Sequence, residues 1–165
     1  MKPIVCLITT ILFLAHGFAQ IKGNCAIKNV QTGLLLRIKD ANSKNGTPLV
    51  AYSPQNWKCM TWNFKQMEGN TYQLQNLFTN KSFEPVKDSA TKVITLHEQP
   101  LETKPNQQYE FIAAENNSYL IKQKGTDLYI TSPGNDAEVN ASIVLQKKNN
   151  SNTQRWIIYA QNPTM

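Results

Sequence analysis

The chain has 165 residues, of which 41% are hydrophobic, 9% aromatic and 17% charged, and its formal net charge is +6. This content of apolar and aromatic residues disfavours a disordered chain. The length suits one domain of ordinary size or two very small ones, and a single domain is the default.

Residues 1–19 have the pattern of a secretory signal peptide. Lys2 precedes an apolar run over residues 4–15, and small residues follow that run. We expect cleavage after Ala19, so that residues 20–165 are exported as a single domain. No later stretch has the roughly 20 apolar residues of a membrane span, so we expect an extracellular protein without a transmembrane anchor.

The exported part has two cysteines, Cys25 and Cys59, which give no zinc-binding pattern. It also has five sequons of the N-x-[ST] kind, which predict a glycoprotein if the chain enters a eukaryotic secretory pathway. The sequons begin at Asn45, Asn80, Asn116, Asn140 and Asn149.

An internal repeat with a period of 47 residues spans the exported part. Trp62, Tyr109 and Trp156 are each 47 residues apart, and a second set of similar segments precedes them with the same spacing. A Thr-x-x-x-apolar pattern recurs with that period as well, in the pairs Thr32 and Leu36, Thr79 and Phe83, and Thr126 and Ile130. The predicted units are residues 22–68, 69–115 and 116–162.

Each unit is predicted to contain four short strands, which in the first unit lie near residues 25–30, 34–38, 49–52 and 61–65. These segments are rich in aromatic and β-branched residues and are bounded by Asn, Gly, Ser and Pro. No long helical periodicity follows Ala19. Twelve strands in three equal units favour a closed, threefold barrel over a propeller, so the predicted fold class is all-β.

The repeated segments resemble the ricin B-type (R-type) β-trefoil lectins, which carry Q-x-W near the end of each of three units. The resemblance covers residues 20–165 and implies a β-trefoil whose aromatic residues fill the core, while Gln107 and Gln154 satisfy buried backbone groups. The three segments are Met60-Thr61-Trp62, Gln107-Gln108-Tyr109 and Gln154-Arg155-Trp156.

The resemblance also implies a carbohydrate site in the second unit. In the family, a unit that binds sugar carries an Asp directly after the Leu of its second strand. It also carries a Gln and an aromatic residue in its third strand, and Asn-Gln at the start of the Q-x-W. The corresponding residues here are Glu84, Thr95, His97, Asn106 and Gln107. We expect the polar groups to bind sugar hydroxyls while the His97 ring covers an apolar patch.

The other two units lack the carboxylate, so we expect no sugar site in either. Their corresponding positions are Arg37, Val50, Tyr52, Cys59 and Met60 in the first unit, and Thr131, Val144, Gln146, Thr153 and Gln154 in the third. We also expect the second unit's loop at residues 99–105 to be about two residues longer than its counterparts.

In a trefoil the first and fourth strands of a unit are antiparallel, which should place Cys25 opposite residues beyond Phe64. Cys59 precedes the fourth strand, so the two Cα atoms would lie too far apart for a disulfide. We therefore expect free thiols or an intermolecular role, although an oxidising compartment leaves one intramolecular disulfide open.

Other chemistries find little support. Only His97 remains after cleavage of the signal peptide, and no hydrolase, phosphate-loop or metal-ligand motif is present. We expect neither an enzyme nor a cofactor or metal. A nucleic-acid partner is disfavoured because the basic residues are dispersed apart from Lys147-Lys148.

The sequence therefore predicts a secreted, monomeric carbohydrate-binding protein whose partners are glycans or glycoproteins. Its positive charge would favour acidic glycans. The alternative is a trefoil that binds a protein, such as one on a cell surface, through loops like residues 99–105, as an inhibitor, toxin or effector would.

Overall fold

The computed structural model describes residues 20–164, so the predicted signal peptide lies outside the described residues. Within this range the chain forms twelve β-strands and four 3-10 turns of three residues each, and no longer helix. The strands are β1 Gly23–Asn29, β2 Leu35–Ile38, β3 Leu49–Tyr52, β4 Trp62–Glu68, β5 Thr71–Asn76, β6 Ser82–Lys87, β7 Ile94–Gln99, β8 Gln108–Ala114, β9 Ser118–Gln123, β10 Leu128–Thr131, β11 Val144–Lys147 and β12 Arg155–Ala160.

Six of the strands, β1, β4, β5, β8, β9 and β12, form a closed antiparallel barrel. The last strand closes it by pairing with the first, so that Cys25 lies opposite Ala160 and Asn29 opposite Trp156. Closure gives each of these strands a neighbour on both sides, which removes the unpaired edges that promote aggregation.

The other six strands form three hairpins, β2–β3, β6–β7 and β10–β11. The hairpins meet around Leu49, Leu96 and Ile143, whose side chains are fully buried. Backbone hydrogen bonds join them there: the Ile143 N–H donates to the Leu49 carbonyl at 3.0 Å, and the Leu96 N–H donates to the Ile143 carbonyl at 3.3 Å.

Each hairpin is tied to the barrel by one large ring from the strand that follows it. The Trp62 indole N–H donates to the Leu36 carbonyl at 3.2 Å, and that of Trp156 donates to the Ile130 carbonyl at 2.9 Å. The Tyr109 hydroxyl takes the same place and donates to the Phe83 carbonyl at 3.3 Å. All three rings are buried, which confirms the predicted core role of these aromatic residues.

Short turns built on threonine lead into the hairpins. The Oγ1 atoms of Thr32, Thr79 and Thr126 accept hydrogen bonds from the backbone N–H two residues ahead, at 3.2–3.4 Å. This local bond favours a turn over continued strand, which explains why the Thr-x-x-x-apolar pattern marks the entry to each hairpin. A six-stranded barrel with three such hairpins is a β-trefoil, so the predicted all-β fold is confirmed.

Both cysteines are buried free thiols in separate apolar clusters. Burial raises the pKa of the Cys25 thiol. The predicted position of Cys25 opposite residues beyond Phe64 is wrong, because β1 begins two residues earlier than expected: Gly23 pairs with Phe64, and Cys25 pairs with Trp62.

Among residues 20–164, no helix has the length and hydrophobicity needed to cross a lipid bilayer.

Candidate functional site

The β6–β7 hairpin and the 3-10 turn Pro105–Gln107 bring the predicted sugar-binding side chains together. Glu84 on β6 is directly opposite His97 on β7, so both side chains project from the same face of the hairpin. Thr95 lies two residues before His97 and shares that face.

Glu84 is the centre of this cluster. Its Oε2 accepts a hydrogen bond from the Asn106 side-chain amide at 3.0 Å and a longer one from the Gln107 amide at 3.5 Å. Its Oε1 has no hydrogen-bond partner among the described residues, and the side chain is only half-buried. The carboxylate is therefore oriented by amides through one oxygen, while the other remains available to a hydroxyl donor.

Gln107 positions the cluster rather than facing solvent, since only 1% of it is exposed. Its Nε2 donates to the Pro100 carbonyl at 2.9 Å, and its Oε1 accepts from the Glu102 N–H and from the Gln73 amide, both at 3.0 Å. These bonds occupy both ends of the amide and fix the loop that leads to Asn106.

Gln154 makes the same contacts in the next hairpin region. Its Nε2 donates to the Lys147 carbonyl and its Oε1 accepts from the Asn149 N–H, both at 2.9 Å. The glutamines of the Q-x-W segments bond backbone groups as predicted, but those groups belong to exposed loop residues and the bonds are only partly buried.

His97 and Thr95 contact each other, with 2.9 Å between the histidine Nε2 and the threonine Oγ1. Both side chains are half-buried, and the backbone of Pro48 bridges to His97 from the neighbouring hairpin. This contact restrains the imidazole ring next to the Glu84 carboxylate.

The strand register corrects the expected correspondence between the hairpins. In the three hairpins, Glu84 pairs with His97, Arg37 with Val50 and Thr131 with Val144. The structural counterparts of His97 are therefore Val50 and Val144, and the expected match of His97 with the aromatic Tyr52 is wrong. The residue that corresponds to Tyr52 is Gln99, which pairs with Ser82 as Tyr52 pairs with Leu35.

The predicted lengthening of the loop at residues 99–105 is wrong for the same reason. Six positions separate Gln99 from Pro105, where the next 3-10 turn begins. The same number separates Tyr52 from Lys58 and Gln146 from Asn152. The three loops therefore have equal lengths, and the two-residue misalignment along β7 accounts for the expected insertion.

The other two hairpins have different chemistry at the position of Glu84. Arg37 is buried and its guanidinium stacks on the Tyr52 ring, with 4.0 Å between its Cζ atom and the ring centroid. Thr131 is buried and accepts a hydrogen bond from the Gln154 amide at 3.0 Å. The cluster of carboxylate, amide and imidazole is thus confined to β6–β7 and its adjoining turn.

The negative charge of Glu84 contributes to the pKa shifts of two nearby side chains, Tyr109 and Lys104. Burial, together with that carboxylate, raises the pKa of the Tyr109 hydroxyl well above its usual value. The pKa of the Lys104 ammonium is raised mainly by its hydrogen bond to Glu102 and the attraction of that carboxylate, with a smaller contribution from Glu84. Within residues 20–164, no group of three or more His, Cys, Asp or Glu side chains is placed to hold a metal ion.

Comparison with known proteins agrees with this architecture. The family model described as "Ricin-type beta-trefoil lectin domain-like" matches residues 16–96, which confirms the resemblance to ricin B-type lectins. No curated protein sequence matches the chain.

Three solved structures illustrate the likeness in fold. The designed threefold-symmetric protein ThreeFoil has a TM-score of 0.77 at 14% identity, over 83% of this chain and 98% of ThreeFoil. The Rhizoctonia solani agglutinin has a TM-score of 0.76 at 16% identity, over 87% of this chain and 99% of the agglutinin. The Macrolepiota procera ricin B-like lectin, solved in complex with lactose, has a TM-score of 0.72 at 16% identity, over 86% of this chain and 99% of the lectin.

Proposed function

We propose that this β-trefoil with the sequence pattern of ricin B-type lectins is a secreted carbohydrate-binding protein that performs no catalysis. The observation that carries the proposal is the Glu84 carboxylate, held through Oε2 by the Asn106 amide with its Oε1 unpartnered among residues 20–164. A fixed carboxylate oxygen accepts hydrogen bonds from sugar hydroxyls without needing to reorganise on binding.

In the proposed complex, Glu84, Asn106 and the Thr95–His97 pair contact the sugar, and Gln107 holds Glu84 and the loop in place. The buried Oδ1 of Asn106 has no hydrogen-bond partner among the described residues, so a ligand hydroxyl that reaches it would satisfy the amide. His97 supplies a ring beside the carboxylate for the apolar face of the sugar.

The test is a glycan array with the wild-type protein and the variants Glu84→Ala and Asn106→Ala. We expect binding to one class of glycan that weakens by about tenfold or more in each variant, equivalent to about 1.4 kcal/mol. Glu138→Ala, which removes an exposed carboxylate outside the Glu84 cluster, is the control and should bind like the wild type. A folded wild-type protein that binds no glycan, or a Glu84→Ala variant that binds unchanged, would contradict the proposal.

A pull-down from target-cell membranes separates glycan recognition from the alternative of protein recognition. If the chain binds glycans, complete enzymatic removal of glycans from the membranes abolishes capture. Capture that survives deglycosylation would instead support a protein partner engaged through the loops, among them the exposed segment that carries Glu102 and Lys104.

The three-unit organisation, with units at residues 22–68, 69–115 and 116–162, is part of the same proposal. It is supported by the equivalent hydrogen bonds of Trp62, Tyr109 and Trp156, each to a carbonyl 26 residues earlier. Secretion after cleavage at Ala19 also remains a proposal, and its test is whether protein recovered from a culture medium begins at Gln20.

Glycosylation of the exported protein is proposed at the five sequons. Their asparagine side chains are all exposed, which is the first requirement for modification of the folded surface. Intact-mass measurement before and after enzymatic deglycosylation of protein made in a eukaryotic host gives the number of occupied sites.

A further inference from the structure

A pocket lies beside the β2–β3 hairpin, and its lining does not include Glu84. It has a volume of about 330 Å³, and we call it the Arg37 pocket. Its lining residues are Arg37, Ala41, Trp57, Lys58, Cys59 and Phe78.

Arg37 is the unusual member of this lining. Only 8% of it is exposed, and its Nε is buried without a hydrogen-bond partner. Among residues 20–164 its guanidinium forms no ion pair, whereas the sequence's other arginine, Arg155, pairs with Glu115 at 3.0 Å. A buried cation without an anion is unfavourable, because the solvation it loses on folding is not replaced.

Two aromatic rings hold the Arg37 guanidinium in place. Its Cζ lies 4.0 Å from the centroid of the Tyr52 ring and 5.7 Å from that of Trp57. These cation–π contacts offset part of the cost of burial and restrict the orientation of the planar group. A guanidinium restrained in this way is suited to a planar oxyanion such as a carboxylate.

The remaining walls determine what must be attached to that anion. Apolar side chains form most of these walls, namely Trp57, Phe78 and Ala41. Phe78 is 46% exposed, and the lining contains no Asn, Gln, Ser or Thr. A polyhydroxylated sugar would leave most of its hydroxyls without partners on such walls.

The charges around the pocket also favour an anion. Lys58, which is exposed, adds a second positive charge to the lining. Asp40, the acidic residue nearest along the chain, lines a different pocket together with Lys39, Asn42 and residues 44–48. No carboxylate is therefore among the residues that line the Arg37 pocket.

We propose that the Arg37 pocket binds a small amphipathic carboxylate, with its charged end at Arg37 and an aliphatic or aromatic body between Trp57 and Phe78. This site is independent of the proposed sugar site and extends the function beyond carbohydrate binding.

The test is a titration with monomeric octanoate, followed by tryptophan fluorescence and calorimetry. Trp57 is half-buried, whereas the sequence's other tryptophans, Trp62 and Trp156, are in the core, so ligand in the pocket should change the emission of Trp57 alone. We expect saturable binding of one octanoate per chain. Octan-1-ol, which lacks the charge, and acetate, which lacks the body, should each bind about tenfold more weakly or worse.

Two variants, Arg37→Gln and Lys58→Gln, test whether the positive charges that line the pocket recognise the carboxylate of the ligand. Arg37→Gln should weaken octanoate binding by about tenfold or more and leave octan-1-ol binding unchanged, whereas Arg155→Gln should bind octanoate like the wild type. Lys58→Gln changes only an exposed residue and should weaken octanoate binding by roughly two- to fivefold, an effect that added salt diminishes. If Arg37→Gln does not fold, the Lys58→Gln variant and the comparison of octanoate with octan-1-ol still test whether the pocket recognises the carboxylate.

Equal affinity of the wild type for octanoate and octan-1-ol would overturn the proposal, as would a folded Arg37→Gln variant with unchanged octanoate affinity. Absence of octanoate binding to the wild type would do the same. Stronger binding of N-acetylneuraminate, a carboxylate on a polar sugar frame, would overturn the assignment of an apolar ligand body.

Discussion

Glu98, on β7, is a carboxyl group that the fold buries completely, where the turn between β2 and β3 bonds to this strand. Its backbone is engaged, since its N–H donates to the Thr47 carbonyl and its carbonyl accepts from the Gly46 N–H. Neither side-chain oxygen has a partner at hydrogen-bonding geometry among the described residues. Burial raises the pKa of Glu98, and the nearby Thr79 hydroxyl and Lys81 ammonium oppose that rise only in part.

This raised pKa gives a prediction for stability against pH. An acid whose pKa is higher in the folded state than in the unfolded state stabilises the fold while it is protonated, and that contribution is lost as pH rises through the folded pKa. We therefore expect Glu98→Gln to raise the free energy of unfolding at pH 7 and to change it little near pH 4, as measured by urea denaturation.

The control for Glu98→Gln is Glu138→Gln, a change of the same kind at an exposed position. It should leave the free energy of unfolding within about 0.5 kcal/mol of the wild type at both pH values. A Glu98→Gln variant that is less stable than the wild type at pH 7 would show that the carboxylate has partners which the geometry does not reveal.

Gln154 gives a second prediction at the scale of one residue. It is fully buried, and its amide bonds to Thr131, Lys147 and Asn149. Gln154→Leu should reduce the free energy of unfolding by roughly 1–3 kcal/mol, because the buried Thr131 hydroxyl and two partly buried backbone groups of the loop lose their partner.

The matched control for Gln154→Leu is Gln146→Leu, at an exposed position on β11. Its thermal unfolding midpoint should stay close to that of the wild type. A Gln154→Leu variant as stable as this control would mean that the loop repacks as it does around Met60, which occupies the corresponding position without a side-chain amide.

Individual roles were only partly predictable from the sequence. The family pattern identified Glu84 and Asn106, and the structure brings their side chains within 3.0 Å. The contact of Arg37 with Trp57 was not predictable, because Trp57 belongs to a loop outside the repeated motifs. The burial of Glu98 was not predictable either, since it depends on a turn from another hairpin closing over β7.

At the scale of elements, Asn76 connects β5 to the turn that leads into the β6–β7 hairpin. Its side-chain amide donates to the Cys59 carbonyl at 3.2 Å, and its Oδ1 accepts from the Phe78 and Thr79 N–H groups at 3.1 and 3.3 Å. A single buried side chain thus joins this turn to the segment before β4.

Asn76→Ala should therefore reduce the free energy of unfolding by about 2–3 kcal/mol, since it leaves several buried backbone groups unsatisfied. The neighbouring Gln75→Ala removes one side-chain bond, to the Asn80 carbonyl, and should cost no more than about 1 kcal/mol. Urea denaturation of both variants checks the difference, and equal losses would contradict the role assigned to Asn76.

Most strands were predictable from the sequence, because short aromatic and β-branched segments alternate with turn residues. The correspondence along β7 was wrong by two residues, which placed His97 rather than Gln99 at the position of Tyr52. A two-residue shift keeps every side chain on the same face of a strand, so alternation of polar and apolar residues cannot detect it. Only the pairing with β6, which the sequence does not state, fixes the register.

At the scale of the whole molecule, one hairpin of three carries a carboxylate at the position of Glu84. Arg37 and Thr131 occupy the other two, and the Gln154 amide already bonds to Thr131. We therefore expect one glycan to bind per chain, so that a monomer does not cross-link cells. Titration calorimetry with a glycan that binds on the array should give a stoichiometry near one, and a value near two or three would place sugar at the other hairpins.

The whole fold was more predictable than its sites, because the barrel depends on the large rings Trp62, Tyr109 and Trp156 and their regular spacing. Core positions tolerate exchange among residues of similar shape, as Tyr109 shows by taking the place of a tryptophan. Binding positions change chemistry with a single substitution. The step from a carboxylate at Glu84 to a guanidinium at Arg37 leaves the hairpin intact and reverses the charge of the side chain at that position.

The pairing of β1 with β12 has a consequence for how the chain acquires its fold. Cys25 and Ala160 are partners in the barrel although 135 positions separate them in sequence. Contacts this distant close large loops and slow the folding reaction, to roughly milliseconds to seconds for β-rich domains. Of the twelve strands, β1 leaves the ribosome first during synthesis and β12 last, so an incomplete barrel exposes sheet edges until translation reaches β12. The nascent chain is therefore most vulnerable to misassembly just before its final strand emerges.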